Sequence, residues 1–518
     1  MNTTEFLTIA NAICPDKVAI VFEEKRFTFS ELNVRVNRVG DALLKLGVQK
    51  GDRVAMLQVN TNQCIEVYFA VARIGAVYVP LNFRARGNEL TYMMNSSEAT
   101  TLFVGERYLE LVDSIKSELP ALKNVISLDK EHDGTLLYED LMGRASAEDI
   151  FTNVGDEDLT ILMYTAGTTG FPKGVMLSHN SFSIYVLENV TPADPVSEEG
   201  NILTVPLYHV AGIQAMMAAV YGGRTLVMER QFDAKEWMGL VQEEKVSRAM
   251  MVPTMLKLLI DNAEFSSFDL NSLKVITYGA APMPLEVIKR AVELFPGVSF
   301  INAFGQTETA STITTVPPED HDLSGTEEEK AKKLRRLASI GKPMADVEMK
   351  VMDEDGNDLP QGEVGEIMAR GPRGMSGYWK DEAKTEETID KEGWVHTGDI
   401  GYVDEDGYFF LAGRATDMII RGGENISPEE VEAVLQGLSK LEEVAIIGIP
   451  DEEWGEVPMC VAVIKQGETC TPEELMEYCR ANLASFKRPR SVVFCDELPR
   501  NPMGKIIKKQ LREQYAES

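Results

Sequence analysis

The stretch MYTAGTTGFPKGVMLSHN, residues 163–180, gathers three glycines, three threonines and a single cation, Lys173, into one short segment. The apolar run DLTILMYT (158–165), which leads into it, is typical of a strand. Glycines let a backbone approach a ligand closely, exposed N–H groups form anion-binding concavities, and a lysine ammonium suits phosphate. The pattern therefore predicts a polyphosphate-binding loop after a strand, and the alternative is a flexible surface turn.

The spacing of this loop differs from the phosphate-binding motif GxxxxGK[ST]. In that motif a lysine directly follows the last glycine, whereas Gly167, Gly170 and Lys173 are each three residues apart. The hydroxyl groups of Thr168 and Thr169 add further donors to those of the backbone. The loop is therefore predicted to hold phosphate through a different arrangement of backbone and side chains.

Composition limits the classes to which the chain can belong. Its 518 residues carry a net charge of −31, with 44% hydrophobic and 26% charged residues. This charge disfavours nucleic acid and anionic membrane surfaces as partners. The N-terminus has neither a basic region nor a long apolar run, so we expect no secretion signal and no integral membrane segment. The six cysteines form no CxxC pair, which favours reduced thiols in a cytoplasmic enzyme.

Apolar runs alternate with helical patterns along most of the chain, which predicts an α/β fold of largely parallel sheets covered by helices. Thr28 and Glu31 form a capping-box pattern, apolar residues follow at helical spacing, and Gly47 is placed to end that helix. The charged stretch 317–338 is expected to be a solvated excursion with a short helix. Strands are predicted at 17–22, 52–57, 76–81, 100–104, 158–165, 275–280 and 299–304.

The C-terminal part of the chain is predicted to be a separate small domain. GYVDEDGYFFLAGR (401–414) predicts a hairpin around Asp406–Gly407, and Ser427 with Pro428 begins a new helix. The expected division is an N-terminal domain at 1–412, a hinge at 413–417 and a C-terminal domain at 418–518.

The end of the C-terminal domain is unusually basic for this chain. Between residues 480 and 512, nine lysines and arginines stand against Asp496 and Glu497, a net charge of +7. Two interpretations are open, a basic tail helix with a solvated face or a local attractor for anionic ligands.

Five ordered motifs resemble those of the adenylate-forming superfamily, which includes acyl-CoA synthetases, aryl-CoA ligases, luciferases and non-ribosomal adenylation domains. The resemblance covers nearly the whole chain. It implies a large N-terminal domain of layered α/β subdomains with a β-rich part, and a small mobile α+β C-terminal domain. The motifs are YTAGTTGFPKGVMLSHN (164–180), GAAP (279–282), FGQTE (304–308), GWVHTGDIGYVDEDGYFFLAGRATDMIIRGGENISPEEVE (393–432) and LPRNPMGKI (498–506).

The resemblance implies that the protein ligates a carboxylic acid to coenzyme A (CoA) through an acyl-adenylate, using ATP and Mg²⁺ and releasing AMP and pyrophosphate. Lys505 matches the lysine that spans the carboxylate and the α-phosphate, Glu308 the Mg²⁺-binding glutamate, and Thr307 a phosphate-contacting hydroxyl. Asp399 and Arg414 match the two ribose contacts. The other nucleotide-binding positions implied are Thr165, Gly167, Thr168, Thr169, Gly170, Lys173, Gly279, Ala280, Ala281, Pro282, Asn302, Ala303, Phe304 and Gly305.

Three positions depart from the family pattern. Ala166 stands where serine is frequent, so one hydroxyl is absent from the loop. Phe304 stands where tyrosine is common, and its ring still offers a face for adenine. The hinge position has Thr416, where the family commonly has aspartate or lysine, and Asp417 follows directly.

RGGEN (421–425) resembles the loop that lines the pantetheine tunnel, which implies CoA contacts from Arg421, Gly422, Gly423 and Glu424. Free CoA is the expected acceptor, because no carrier-protein signature is visible. The alternatives are transfer to a separate carrier protein and a non-catalytic nucleotide-binding homologue, and a homodimer is left open.

Family position also implies the residues that line the acyl pocket. They are mostly small or apolar, which favours an aliphatic, alicyclic or aromatic acid over a highly charged one. These residues are Tyr208, His209, Gly212, Met251, Val252 and Thr312, together with Gly279, Ala280, Asn302 and Ala303.

Overall fold

The computed structural model describes residues 1–85, 87–165, 172–414, 417–421, 424–451, 454–500 and 506–515. The helices are α1 Thr4–Ile13, α2 Phe29–Lys45, α3 Asn62–Arg73, α4 Gly87–Ser97, α5 Leu109–Ile115, α6 Tyr138–Gly143, α7 His179–Asn189, α8 Val210–Tyr221, α9 Ala234–Glu244, α10 Pro253–Ile260, α11 Leu285–Leu294, α12 Pro318–His321, α13 Glu327–Leu337, α14 Glu382–Thr388, α15 Pro428–Leu435, α16 Pro472–Asn482 and α17 Lys508–Tyr515.

The strands up to residue 316 are β1 Val18–Phe22, β2 Lys25–Thr28, β3 Arg53–Leu57, β4 Val77–Pro80, β5 Thr101–Val104, β6 Asn124–Ser127, β7 Leu136–Leu137, β8 Leu159–Thr165, β9 Lys173–Ser178, β10 Gly200–Leu203, β11 Thr225–Met228, β12 Arg248–Met251, β13 Val275–Gly279, β14 Ser299–Gln306 and β15 Ser311–Val316. The later strands are β16 Lys342–Pro343, β17 Glu348–Met352, β18 Gly365–Arg370, β19 Gly377–Tyr378, β20 Val395–Val403, β21 Phe409–Arg414, β22 Ile419–Arg421, β23 Glu424–Ile426, β24 Leu441–Asp451, β25 Gly455–Ile464 and β26 Ser491–Phe494. Each strand predicted from sequence is present, and its ends differ by at most two residues from those expected.

Sheet I has the strand order β16-β15-β14-β13-β12-β10-β11-β1-β2. Its interior run from β14 to β1 is parallel, and its outer pairs are antiparallel. Buried side chains from α9, α10 and α11, including Trp237 and Ile288, pack on one face. This layering places the carboxyl ends of β10, β12, β13 and β14 along one edge, where α/β folds commonly bind ligands.

Sheet II has the strand order β19-β9-β8-β4-β3-β5-β6-β7 and is parallel from β8 onward. Helices α2 and α3 pack beside it, and the predicted capping box of α2 is confirmed, with Thr28 accepting from the Glu31 amide and the Glu31 carboxylate accepting from the Thr28 amide. Gly47, just after the helix, has φ +86°, a conformation that glycine adopts without strain. Gly47 therefore allows the chain to turn directly after α2.

Sheet III, with the order β17-β18-β20-β21, is antiparallel and supplies the β-rich part. The predicted hairpin is confirmed as β20–β21 around Asp406–Gly407. The charged stretch 317–338 contains two helices rather than one: α13 is largely exposed, as expected, whereas α12 carries the buried side chains of Asp320 and His321.

Sheet IV lies in the C-terminal part and has the order β23-β22-β25-β24, with β26 pairing to β25. Ser427 caps α15 by accepting from the Glu430 amide, as its position in the sequence predicted. The four sheets and their helices confirm the predicted α/β fold class with a small α+β C-terminal part. Within the described residues, no helix combines the length and hydrophobicity that crossing a membrane requires.

The interpretation of residues 480–512 as one basic tail helix is wrong. The stretch is divided among the end of α16, a 3-10 turn, β26 and the start of α17, because apolar residues such as Val492 and Leu511 pack into the core of sheet IV. Many of its cations are paired with acids elsewhere in the C-terminal part. The pairs are Lys487–Glu430, Arg490–Asp451, Arg500–Glu443, Lys508–Glu432 and Arg512–Asp417.

Candidate active site

The strand ends of sheet I bring together several predicted ligand-binding residues. Met251, at the end of β12, pairs in register with Tyr278, and the next residue, Gly279, pairs with Ala303 on β14. Because parallel strands share their carboxyl edge, the predicted acyl-pocket residue Met251 and the GAAP loop lie side by side. The edge therefore joins the predicted acyl and adenine sites.

Glycine is required at two positions of this edge. A Cβ atom at Gly279 would overlap the carbonyl oxygen of Ala303, and one at Gly305 would overlap the carbonyl oxygen of Ser311. The following residue, Ala280, has φ +64°, a left-handed conformation in which alanine is strained. The backbone of the GAAP loop is thus pressed against the FGQTE strand, and the geometry is fixed by main-chain atoms.

The predicted phosphate loop joins two antiparallel strands. Thr165, the last residue of β8, pairs with Lys173, the first residue of β9. The loop residues Gly167, Thr168, Thr169 and Gly170 lie outside the described residues. Desolvation is the main cause of a lowered pKa at Lys173, and Lys384 lowers this pKa further whereas Glu308 raises it.

Lys173 and Glu308 meet through a residue that the sequence did not single out. The Tyr378 hydroxyl donates a 2.9 Å hydrogen bond to Oε1 of Glu308, and the Lys173 ammonium lies 5.3 Å from the centre of the same tyrosine ring. Desolvation, followed by the nearby Glu308 carboxylate, raises the pKa of Tyr378, so its hydroxyl stays protonated. The predicted phosphate cation and the predicted metal ligand are therefore neighbours.

A second link connects the FGQTE turn to the strand that carries Asp399. The Gln306 side-chain amide donates to the Thr397 carbonyl at 3.3 Å, and the Thr397 hydroxyl accepts from the Asp399 amide at 3.1 Å. Asp399 is buried and lies opposite Arg414 in the β20–β21 register. The two predicted ribose contacts are therefore adjacent on paired strands.

The predicted acyl-pocket residues Tyr208 and His209 lie between β10 and α8, and Gly212 lies in the first turn of α8. His209 caps α8 through Nδ1, which accepts from the Ala211 amide at 3.3 Å. Desolvation lowers the pKa of His209 to about 4, so the imidazole is neutral at pH 7. A Cβ atom at Gly212 would overlap the carbonyl oxygen of Pro206, so glycine permits the close start of this helix.

Residues 8–379 match the model of the AMP-binding enzyme family, and residues 430–505 match that of the AMP-binding enzyme C-terminal domain. The chain belongs to the AMP-binding enzyme family. The C-terminal match ends at Lys505, within the segment 501–505, which lies outside the described residues.

Individual relatives of this AMP-binding enzyme align over nearly its whole length. An indoleacetate–CoA ligase of Aromatoleum aromaticum is 32% identical over 518 residues, covering 100% of this chain and 98% of the relative. A long-chain-fatty-acid–CoA ligase of Mycobacterium tuberculosis is 32% identical over 491 residues, covering 95% and 93%. The crystal structure of an anthranilate CoA ligase in complex with anthranoyl-AMP is 26% identical, with a TM-score of 0.89 and coverage of 99% and 97%. The predicted class, an AMP-forming acyl-CoA synthetase, is confirmed.

Arg421 of the predicted CoA loop and Asp417 of the predicted hinge each contact another residue in the C-terminal part of this AMP-binding enzyme. Arg421 lies 5.4 Å from the ring centre of Trp454, which directly precedes β25, and Gly422 and Gly423 lie outside the described residues. Of the hinge prediction, Thr416 lies outside the described residues, whereas the Asp417 carboxylate accepts from Arg512 at 2.7 Å. The CoA and hinge assignments therefore stay predictions.

Sequence reasoning also missed a buried arginine beside the predicted acyl-pocket residue Thr312. Arg373 donates to the Thr312 carbonyl at 2.7 Å and forms an ion pair with Asp346. Both side chains are almost fully buried, with exposed fractions of 2% and 5%. The glycine-rich stretch RGPRGMSGYW (370–379) contains no local pattern that would distinguish the buried Arg373 from a surface arginine.

Proposed function

We propose that this protein activates a largely apolar carboxylic acid as its acyl-adenylate and then transfers the acyl group to CoA. The observation that carries the proposal is the meeting of Lys173 and Glu308 around Tyr378. A phosphate-directed cation at the start of β9 in sheet II, next to a metal-directed carboxylate that follows β14 of sheet I, fits the substrate MgATP better than an uncharged ligand. We also propose that the protein acts in the cytoplasm.

The reaction brings a carboxylate to the α-phosphorus of ATP, so negative charge approaches negative charge. In a dry site, preorganised cations and donors lower the cost of such a transition state. Lys173 would hold the phosphates at the mouth of the loop, and Thr307 would add its hydroxyl. Lys505 would approach the α-phosphate from the C-terminal domain and stabilise the charge that develops there.

Glu308 fits a Mg²⁺ ion that arrives with ATP. The described residues contain no group of three or more histidine, cysteine, aspartate or glutamate side chains that could hold a metal ion. A single carboxylate suits Mg²⁺ because this ion takes one or two protein carboxylates together with phosphate oxygens and water. Once bound, Mg²⁺ would neutralise charge on the phosphates.

The nucleotide sugar would lie against Asp399. An ionised carboxylate is an acceptor only, which suits two adjacent ribose hydroxyls. The position of Arg414 across the strand pair allows a second contact with the same sugar. Adenine would stack at Phe304, next to the backbone of the GAAP loop.

The acid is proposed to be aliphatic, alicyclic or aromatic. Tyr208 and Met251, two of the predicted acyl-pocket residues, are buried and uncharged. His209 is neutral and caps a helix, and a carboxylate needs no deprotonation at pH 7. His209 is therefore assigned a packing role.

The proposal is tested with a panel of acids from acetate to palmitate, together with benzoate and indoleacetate. AMP formation is measured for each acid with and without CoA. We expect AMP and an acyl-CoA to form in equal amounts, with turnover requiring both the acid and CoA. Pyrophosphate release that depends on the acid but never continues to a CoA thioester would instead support a separate carrier protein as acceptor.

Glu308→Gln is expected to raise the Mg²⁺ concentration required for ATP turnover at least about tenfold. Loss of even a hydrogen-bond partner of a metal ligand lowers metal affinity by about that factor. The substitution keeps the size of the side chain and its ability to accept from Tyr378, so the fold should remain intact. Initial rates are measured against Mg²⁺ concentration at fixed ATP. Wild-type kinetics at limiting Mg²⁺ would remove Glu308 from the role of metal ligand.

We further propose the domain division 1–412, 413–417 and 418–518, with rotation about the hinge between the two half-reactions. Lys505 and the CoA loop cannot both face the same acyl phosphate at once, so the C-terminal domain must reorient. The ion pair between Asp417 and Arg512 supports this division, because it ties the residue after Thr416 to α17 of the C-terminal domain.

Thr416→Pro is expected to damage the two half-reactions unequally, by at least about tenfold or roughly 1.4 kcal/mol. Proline fixes φ and restricts the residue before it, so one orientation of the domains is disfavoured. We expect the thioester step to be slowed more. Single-turnover formation of acyl-AMP, and its consumption on addition of CoA, measure the two steps. If both steps keep their wild-type rates, or if both are slowed by the same factor in a well-folded protein, Thr416 is not the pivot and Asp417 becomes the next candidate.

A further inference from the structure

Residues 375–379, here called the strap, connect the strand that carries Lys173 with the turn that carries Glu308. The Met375 amide donates to the Glu308 carbonyl at 2.9 Å, and the Trp379 amide donates to the Gly174 carbonyl at 2.8 Å. The strap therefore contacts the main chain beside both charged residues.

Tyr378 extends this connection to the side chains. Its hydroxyl donates to Glu308 at 2.9 Å, and the Lys173 ammonium lies 5.3 Å from its ring centre, within the range of a cation–π contact. Among the described residues, Lys173 and Glu308 form no ion pair with each other. One neutral side chain thus engages a cation by its face and an anion by its hydroxyl.

The position of the Tyr378 ring is determined by several contacts. Tyr378 pairs with Val175 on β9, and its amide donates to the Thr385 hydroxyl at 2.9 Å. Gly377 has φ +136°, and a Cβ atom there would lie 2.7 Å from the Thr385 methyl carbon. The tyrosine side chain, with an exposed fraction of 7%, is therefore held in place from the strand and from α14.

We propose that Tyr378 is a positioning residue that orients Glu308 for Mg²⁺ and keeps Glu308 and Lys173 from neutralising each other. The inference rests on the proposed function, in which Glu308 binds the metal and Lys173 the phosphates. A hydrogen-bond partner of a metal ligand fixes the orientation of that ligand, and its loss typically lowers metal affinity about 10–100-fold. The tyrosine ring also separates the Lys173 ammonium from the Glu308 carboxylate, so that Lys173 remains available to the phosphates and Glu308 to Mg²⁺.

Tyr378→Phe removes the hydroxyl and keeps the ring beneath Lys173. ATP binding is measured by titration calorimetry with and without Mg²⁺, so the result does not depend on turnover. We expect the increase in ATP affinity caused by Mg²⁺ to fall about tenfold or more. ATP affinity without Mg²⁺ should be unchanged in Tyr378→Phe but lowered in Tyr378→Leu, which also removes the ring.

The matched control is Tyr402→Phe, which removes a hydroxyl from a ring that stacks on Phe410 at 5.1 Å. It should bind ATP like the wild type at every Mg²⁺ concentration. In a Glu308→Gln background, Tyr378→Phe should have no further effect on the Mg²⁺-dependent affinity, because the two residues act as one unit.

A wild-type response to Mg²⁺ in both Tyr378→Phe and Tyr378→Leu would overturn the inference and leave the proposed function standing. A full, additive effect of Tyr378→Phe in the Glu308→Gln background would also overturn it, since Tyr378 would then act independently of Glu308. If the wild-type protein itself shows no Mg²⁺-dependent gain in ATP affinity, the metal role of Glu308 fails first and the inference fails with it.

Discussion

Replacing Lys505 with alanine is expected to slow acyl-adenylate formation about 10²–10³-fold, the loss that follows removal of one well-placed charge-stabilising donor. The reaction of a supplied acyl-adenylate with CoA should be slowed far less, because the proposed contact with the α-phosphate is needed only in the first half-reaction. Rapid-quench measurements of the two half-reactions, each at saturating substrate, check this expectation.

The matched control for Lys505 is Lys509→Ala on α17. Lys509 is exposed, so its replacement tests whether any loss comes from the basic character of the region. Lys508 is not suitable as a control, because it is largely buried in ion pairs with Glu429 and Glu432. Equal damage to both half-reactions in Lys505→Ala, or equal damage from Lys509→Ala, would contradict the role assigned to Lys505.

Arg373→Met is expected to lower the free energy of unfolding by about 3–5 kcal/mol, because removal of one partner from a buried ion pair leaves the other charge uncompensated. The charge left behind is that of Asp346, which is 5% exposed. The substitution also removes the donor to the Thr312 carbonyl. Urea unfolding followed by circular dichroism measures the loss.

An exposed ion pair nearby provides the comparison for Arg373. Arg370 bonds to Glu348 at 2.7 Å, with exposed fractions of 36% and 65%. Arg370→Met should lower the free energy of unfolding far less than Arg373→Met, because exposed ion pairs contribute little to stability. Similar losses in the two variants would show that water reaches Asp346 and that the Arg373 pair is not effectively buried.

The sequence was most informative where a pattern is local. The capping box of α2 and the hairpin at Asp406–Gly407 depend on residues a few positions apart, and both were predicted correctly. The proposed phosphate loop and the FGQTE turn are likewise predicted from short contiguous motifs. Their structural neighbourhood is consistent with these motifs, since Lys173 and Glu308 meet around one ring.

The sequence was least informative where a contact joins distant segments. Tyr378 bonds to Glu308, 70 positions earlier, and the Met375 amide of the same strap also donates to the Glu308 carbonyl. The basic stretch was misinterpreted for the same reason, because Lys487 finds its partner, Glu430, 57 positions away. A count of charges along the chain does not show which acidic residue the fold places beside each lysine or arginine.

The main-chain contact at Gly279 has a consequence for engineering the acid specificity of this enzyme. Every other residue carries a Cβ atom that would overlap the Ala303 carbonyl, so any substitution at this position requires the main chain to shift. The same holds for Gly212, where a Cβ atom would overlap the carbonyl oxygen of Pro206. Libraries should instead diversify Val252, a predicted acyl-pocket residue that follows β12 at the same edge and is only partly buried, so that new side chains change the predicted pocket without displacing the main chain.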